Sequence, residues 1–265
     1  MDAPAAVLAA EDLSLLTRAA HAAGETALTF TGPSARSWDK PEGAGPVTEA
    51  DLAVNETLKQ ILRDARPDYG WLSEEDADSS DRLSARRVFI IDPIDGTRSF
   101  IKGDTSWAHS IAVVEDGEVS AGVVYLPMQD KLYAAARGGG AVLNGAAIHA
   151  GRAEKLGGAD VLLARAALEP HHWNGAPPAI NRHLRPSLAY RMALIAQGRF
   201  DAMLTLRDSW EWDIAAGALI CAEAGARVTD RRGNALSFNA RHPKAHGVVA
   251  ANPPLHRAFL AALRN

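Results

Sequence analysis

Apolar residues in the opening stretch recur at steps of three and four. Leu13, Leu16, Ala20, Ala23, Ala27 and Phe30 predict an amphipathic helix from about Ala3 to Thr29, ended by Gly32-Pro33. A polar stretch from Ser34 to Pro46 follows, with Lys40, Gly43 and Gly45, and reads as a mobile loop. Helical spacing returns after Thr48-Glu49-Ala50-Asp51, where Val54, Leu58, Ile61 and Leu62 share a face and Pro67 is the stop. Trp71-Leu72-Ser73 then reads as a short strand leading into the acids Glu74-Glu75-Asp76. Val88-Phe89-Ile90-Ile91, uncharged and rich in β-branched and aromatic residues, predicts a buried strand that delivers Asp92 at its carboxyl end. Residues 109–114 and 119–125 predict a hairpin across Asp116-Gly117, Lys131 to Ala136 extends the meander, and Asn144-Gly145 marks another tight turn.

Past about Gly151 strands and helices alternate. Val161 to Ala164 reads as a strand, with a proline-rich loop after it through Pro178. Next come a helix from Ser187 to Gln197, a strand from Arg199 to Leu206 and an apolar helix from Asp213 to Ala224 closed by Gly225. Strands at 227–229 and 247–250 and a last helix from Leu255 to Leu263 complete the pattern. The expected class is α/β, with an α+β first half (1–150) and an α/β second half (151–265) that contributes Asp213.

Composition changes this picture little. The 265 residues are 47% hydrophobic and 23% charged, as in ordinary globular chains, and the net charge of −4 is spread, so neither a nucleic-acid polymer nor a membrane is an expected partner. Cys221 is the only cysteine, which excludes an internal disulfide and fits a reducing, cytoplasmic location. The N-terminus carries Asp2, Glu11 and Asp12 with no basic segment before an apolar core, unlike a signal peptide. The oligomeric state stays open, a homodimer included.

The candidate chemistry centres on Asp92-Pro93-Ile94-Asp95-Gly96-Thr97. Pro93 fixes one φ and Gly96 permits a backbone other residues resist, so two acids, the Ile94 carbonyl and the Gly96 and Thr97 amides can converge at a strand end. Such oxygens suit Mg²⁺, and such amides suit a phosphate. Glu74 and Asp213 also follow apolar segments. Taken singly each acid has a plainer reading: Asp213 as a helix cap, Glu74 as surface charge, Asp95 as a turn residue. Together, without a cation, they would repel and carry raised pKa values. Paired ions, one on Glu74, Asp92 and the Ile94 carbonyl and one on Asp92, Asp95 and Asp213, would serve the attacking water and the leaving oxygen of phosphomonoester hydrolysis. Thr97 could take a proton from the water and pass it to Asp51, although Thr48-x-x-Asp51 also reads as a capping box. The histidines lack zinc spacing, no Gly-x-Ser-x-Gly elbow is present, and Gly138-Gly139-Gly140 lacks the lysine of a phosphate loop.

Val47-Thr48-Glu49-Ala50-Asp51, Ser73-Glu74-Glu75, the 92–97 segment and Trp212-Asp213-Ile214-Ala215-Ala216-Gly217 resemble, in order and spacing, the motifs of the inositol monophosphatase superfamily. Gly122-Val123-Val124-Tyr125 and Asn144-Gly145 extend the likeness over nearly the whole chain. The resemblance implies an αβαβα layered sandwich, hydrolysis of a small phosphorylated substrate with two or three Mg²⁺ ions and no phosphoenzyme, and inhibition by lithium. It puts Glu74, Asp92, Ile94, Asp95 and Asp213 on metal ligands, Thr97 and Asp51 on the water-activating pair with Glu74 beside them, and Lys40 near a basic residue that closes the site. Gly96, Thr97, Arg98, Ser187 and Arg207 fall where substrate contacts are expected.

Within the superfamily, Ser73 before the paired glutamates and Arg98-Ser99-Phe100-Ile101 after the turn look more like the bacterial 3′(2′),5′-bisphosphate nucleotidases than like inositol phosphatases. Seven positions before Asp213, where inositol phosphatases carry an acid that grips the polyol, stands Leu206. Arg98, Arg207 and Trp210 could then serve a second phosphate and a stacked adenine. Inositol-1-phosphate hydrolysis is the alternative within the class, and a silent sensor of phosphorylated ligands is the alternative outside it. A haloacid-dehalogenase enzyme is disfavoured because its acids stand two apart and these stand three apart.

Overall fold

Alternate side chains of the strand leading to Asp92 enter different apolar clusters, Phe89 and Ile91 one, Val88 and Ile90 another, so this strand is covered on both faces. The computed structural model describes residues 3–30, 35–41 and 45–264. Gly32-Pro33 and Gly43, expected at a helix end and in a loop, lie outside the described residues.

The chain opens with helix α1 (Ala3–Leu28), then β1 (Ser37–Asp39), β2 (Pro46–Thr48), α2 (Glu49–Ala65), β3 (Gly70–Ser73), β4 (Arg87–Asp95) and the one-turn helix α3 (Thr97–Ile101). A meander follows: β5 (Ala108–Glu115), β6 (Glu118–Leu126), β7 (Lys131–Ala136), β8 (Ala141–Leu143) and β9 (Ala146–Ala147). The rest runs β10 (Asp160–Leu163), β11 (Asn181–His183), α4 (Leu188–Ala196), β12 (Ala202–Thr205), β13 (Ser209–Trp210) and α5 (Glu211–Glu223). It ends with β14 (Arg227–Thr229), β15 (Lys244–Ala245), β16 (Val248–Ala251) and α6 (Pro253–Ala262).

Strands β3 to β9 form a seven-stranded sheet in sequence order, parallel only between β3 and β4. A five-stranded sheet of order β11-β10-β12-β16-β14 is parallel across its first three strands and antiparallel beyond. Helices α1 and α2 cover the outer face of the first sheet, α4 and α5 fill the space between the sheets, and α6 covers the far face of the second. This is the five-layered αβαβα sandwich that the resemblance implies. The expected boundary near residue 150 falls between β9 and β10, and the apolar cluster around α4 and α5 runs across it.

Three details differ from the sequence expectations. The stretch read as a mobile loop from Ser34 to Pro46 holds β1, which pairs antiparallel with β2 at the end of that stretch; both strands have only three residues and β1 is exposed throughout, so neither shows a period. The proline-rich stretch runs on into β11, a polar edge strand. Strand β4 continues through the 92–95 turn, its ladder irregular between Asp92 and Asp95. The missing N–H of Pro93 falls in that irregularity, where no ladder bond is forfeited.

Candidate active site

Three elements deliver the acids to one place. Asp92 and Asp95 end β4; Glu74 follows the parallel neighbour β3, its amide donating to the Ile91 carbonyl at 3.1 Å. Asp213 lies inside the first turn of α5, whose start is tied to the first sheet by Ser110 Oγ donating to the Trp212 carbonyl at 2.8 Å. The N-cap of α5 is Trp210, so the helix-cap reading of Asp213 fails.

One oxygen from each of Asp92, Asp95 and Asp213 lies within 4.8 Å of the others. Glu74, Ile94, Gly96, Thr97, Arg98 and Arg207 line the same cleft of about 550 Å³. Gly96 has φ 104° and ψ 35°, a left-handed geometry that glycine adopts without strain, and it turns the chain from β4 into α3.

Electrostatics make the cluster unstable as a set of bare carboxylates. Burial, then the charges of Glu74, Asp95 and Asp213, push Asp92 well above the usual carboxylate range. Asp213 is raised in the same way by burial, Asp95 and Glu74, against the pull of Arg207. Asp95 is pushed up by burial to about 6, although Ser187 Oγ and the Ala189 amide donate to its Oδ2 at 2.7 and 2.6 Å. Asp92 Oδ1 is buried and has no hydrogen-bond partner among the described residues. An orphaned buried oxygen facing two further carboxylates is a donor set that fits a hard divalent cation.

Asp51 both completes the capping box on Thr48 and neighbours the turn. Its Oδ2 accepts from the Thr48 amide at 2.8 Å and from Thr48 Oγ1, closing the capping box at the start of α2. Its Oδ1 accepts from Thr97 Oγ1 at 3.3 Å, and burial pushes its pKa up to about 6 against the Thr48 bonds.

The other expected contacts divide. Lys40 donates to Glu74 Oε1 at 2.9 Å and Glu75 Oε1 at 2.7 Å; burial opposes its charge, but the two acids hold its pKa above the usual lysine value. Ser187, expected to touch substrate, is instead fully buried, with its hydroxyl committed to Asp95 and to the Tyr190 amide. Trp210 lines the cleft, and its ring is already engaged by Trp212, stacked at 4.4 Å, and by Lys244 Nζ, 3.9 Å from its centroid. Leu206 packs into the apolar cluster under α6. Sequence reading missed Arg191, which lines the cleft and donates to the Arg185 and Pro186 carbonyls. Its position four residues after Ser187 on a helix was the available signal.

The family model described as "Inositol monophosphatase family" matches residues 9–265. An inositol-1-monophosphatase of Rhizobium meliloti is 34% identical over 223 residues, 80% of each chain. A histidinol-phosphatase of Mycobacterium tuberculosis is 33% identical over 96% of this chain and 98% of its own. Among solved structures, the extragenic suppressor protein suhB of Bartonella henselae superposes with a TM-score of 0.80 at 26% identity, covering 94% of this chain and 97% of that one.

Proposed function

The chain belongs to the inositol monophosphatase family, whose members are metal-dependent phosphatases, and we propose that its Asp92–Asp95–Asp213 cleft hydrolyses a 3′(2′),5′-bisphosphate nucleotide such as adenosine 3′,5′-bisphosphate. In this proposal Glu74, Asp92, the Ile94 carbonyl, Asp95 and Asp213 hold Mg²⁺. When bound, the metal supplies the positive charge that lowers the pKa of an attacking water and steadies the departing oxygen.

The chain's own groups do the rest. Thr97 Oγ1 takes a proton from the water and passes its own to Asp51 Oδ1, 3.3 Å away. A carboxylate whose pKa lies at about 6 is a stronger base than an exposed one. The Gly96 and Thr97 amides, at the start of α3, donate to phosphate oxygens. Lys40 holds Glu74 and Glu75 in place. Ser187 and the Ala189 amide fix one oxygen of Asp95, leaving the other for the cleft.

One observation carries the substrate choice. Arg98 and Arg207 line the cleft as exposed residues, neither in an ion pair within 4 Å among the described residues although Arg207 is near enough to pull on Asp213, while Leu206 turns its apolar side chain into the core. Two free forks suit a substrate with two phosphates, and an absent acid leaves a polyol without a partner. Inositol 1-phosphate is the second reading, favoured by the name of the Rhizobium meliloti relative. Measured kcat/KM for the two substrates decides between them: the nucleotide is expected to win. A tenfold preference for inositol 1-phosphate, about 1.4 kcal/mol of transition-state stabilisation, would overturn the choice.

A further inference from the structure

Strand β4 leaves its ladder just where it delivers the candidate metal ligands. Asp92 pairs with Ser110 and Asp95 with Ala108, so three steps along β4 are matched by two along β5, and neither Pro93 nor Ile94 has a partner across the ladder. Pro93 is buried, and a buried carbonyl needs a hydrogen-bond donor. The donor is a side chain. His109, the β5 residue between Ala108 and Ser110, is fully buried, and its Nδ1 is hydrogen-bonded to the Pro93 carbonyl oxygen. Nothing in the proposed hydrolysis uses this histidine.

The bond fixes the state of the ring. A carbonyl oxygen only accepts, so Nδ1 carries the proton. His109 Nε2 is buried with no partner among the described residues, and burial pulls the pKa of the ring down to about 4, against the Pro93 bond. The imidazole is therefore neutral at pH 7, with Nδ1 as donor and Nε2 bare. Aromatic neighbours set its position: the Trp107 ring lies 5.5 Å away, edge-on, the Tyr125 ring 6.3 Å away, and Trp107 in turn meets Phe100 of α3 at 5.1 Å. An aliphatic side chain could fill this space without leaving a polar nitrogen unpaired in the interior. It could not donate to Pro93.

That carbonyl has leverage on the site. The ring of Pro93 sets its own φ, so the remaining freedom of the residue is ψ, which decides where its carbonyl oxygen points and how the next peptide plane is turned. The next residue is Ile94, which lines the cleft and whose carbonyl oxygen accepts from Thr97 Oγ1 at 3.2 Å. Asp92 and Asp95 flank this pair. Holding one oxygen thus fixes the backbone from which three of the candidate ligands project.

We propose that His109 is a positioning residue for the metal centre: its Nδ1–H clamps the Pro93 carbonyl and so holds Asp92, the Ile94 carbonyl and Asp95 in the arrangement that a divalent cation needs. The proposal rests on the metal centre inferred above and adds to it a group that touches neither ion nor substrate.

Two measurements test it. In wild-type protein carrying isotope-labelled histidine, nitrogen–proton correlation spectra at pH 7 are expected to show the His109 ring as the neutral Nδ1–H tautomer, with chelator and with Mg²⁺ alike. An Nε2–H or charged ring overturns the proposal. Calorimetric titration with Mg²⁺ then compares wild type with His109→Leu, which fills the space without a donor, and with His109→Asn, whose side-chain amide stands near the place of Nδ1. The leucine variant is expected to bind Mg²⁺ roughly ten- to a hundredfold more weakly, and the asparagine variant to recover to within about threefold of wild type. A packing role alone would not separate the variants by their donor, so equal affinity in both, or wild-type affinity in the leucine variant, overturns the proposal as well. His109→Val, smaller and suited to a strand, takes the place of the leucine variant should that one fail to fold. A wild-type chain that binds no Mg²⁺ removes the metal centre itself, and the role of His109 with it, whatever the tautomer.

Discussion

Asp95 shows how one residue can be both recognisable and incompletely legible. Its place at the end of an uncharged strand, three residues after another acid, marked it from the sequence. What holds it was not readable, because Ser187 and Ala189 lie 92 and 94 residues further along and meet it only once α4 packs between the sheets. The same holds for Arg191, and for the contacts that Trp212 and Lys244 make with the Trp210 ring. Asp95→Asn is expected to lower kcat/KM by more than about a hundredfold with unchanged circular dichroism, since it removes charge where the reaction needs it. Ser187→Ala keeps the acid and removes its anchor, so apparent Mg²⁺ affinity should weaken by roughly ten- to a hundredfold, as for other groups that orient a metal ligand. Near-native activity of Asp95→Asn would remove that carboxylate from the chemistry.

At the scale of elements, α5 is the part that must not move, because it carries Asp213 to a sheet it does not belong to. It presses on β6 so closely that a Cβ at Gly122 would stand 3.0 Å from Ala216 Cα and 3.1 Å from the Ala216 carbonyl oxygen. Backbone atoms cannot step aside as a side-chain tip can. Gly122→Ala is therefore expected to cost about 1–3 kcal/mol in urea denaturation and to lower activity by displacing Asp213. An unchanged unfolding midpoint would show that the helix and strand have room to spare. The helices α1 and α2 were legible because a single buried face dictates their period, and the β5–β6 hairpin because its apolar strands, buried on both faces, flank an Asp-Gly turn. The β1–β2 pair was not, since all three residues of β1 are exposed and tertiary placement alone sets it.

Across the whole molecule, five layers exist to bring acids from β3, β4 and α5 into one cleft, and the folded chain is penalised for it. The folded state holds the protons of Asp95 and Asp51 more tightly than the unfolded chain does, their pKa values having risen from 3.8 to about 6. Protonation therefore favours the metal-free fold, and its stability contribution is lost as pH rises from about 4 through about 6. Burial and mutual repulsion raise Asp92 and Asp213 in the same direction. A divalent cation should displace these protons and reverse the penalty. Calorimetric titration of Mg²⁺ at pH 5.5 and pH 8, in buffers of different ionisation enthalpy, measures both affinity and proton release. Tighter binding at the higher pH, protons released at the lower one, and loss of both in Asp95→Asn are the expected results; binding independent of pH with no proton release would contradict a metal centre built from these carboxylates.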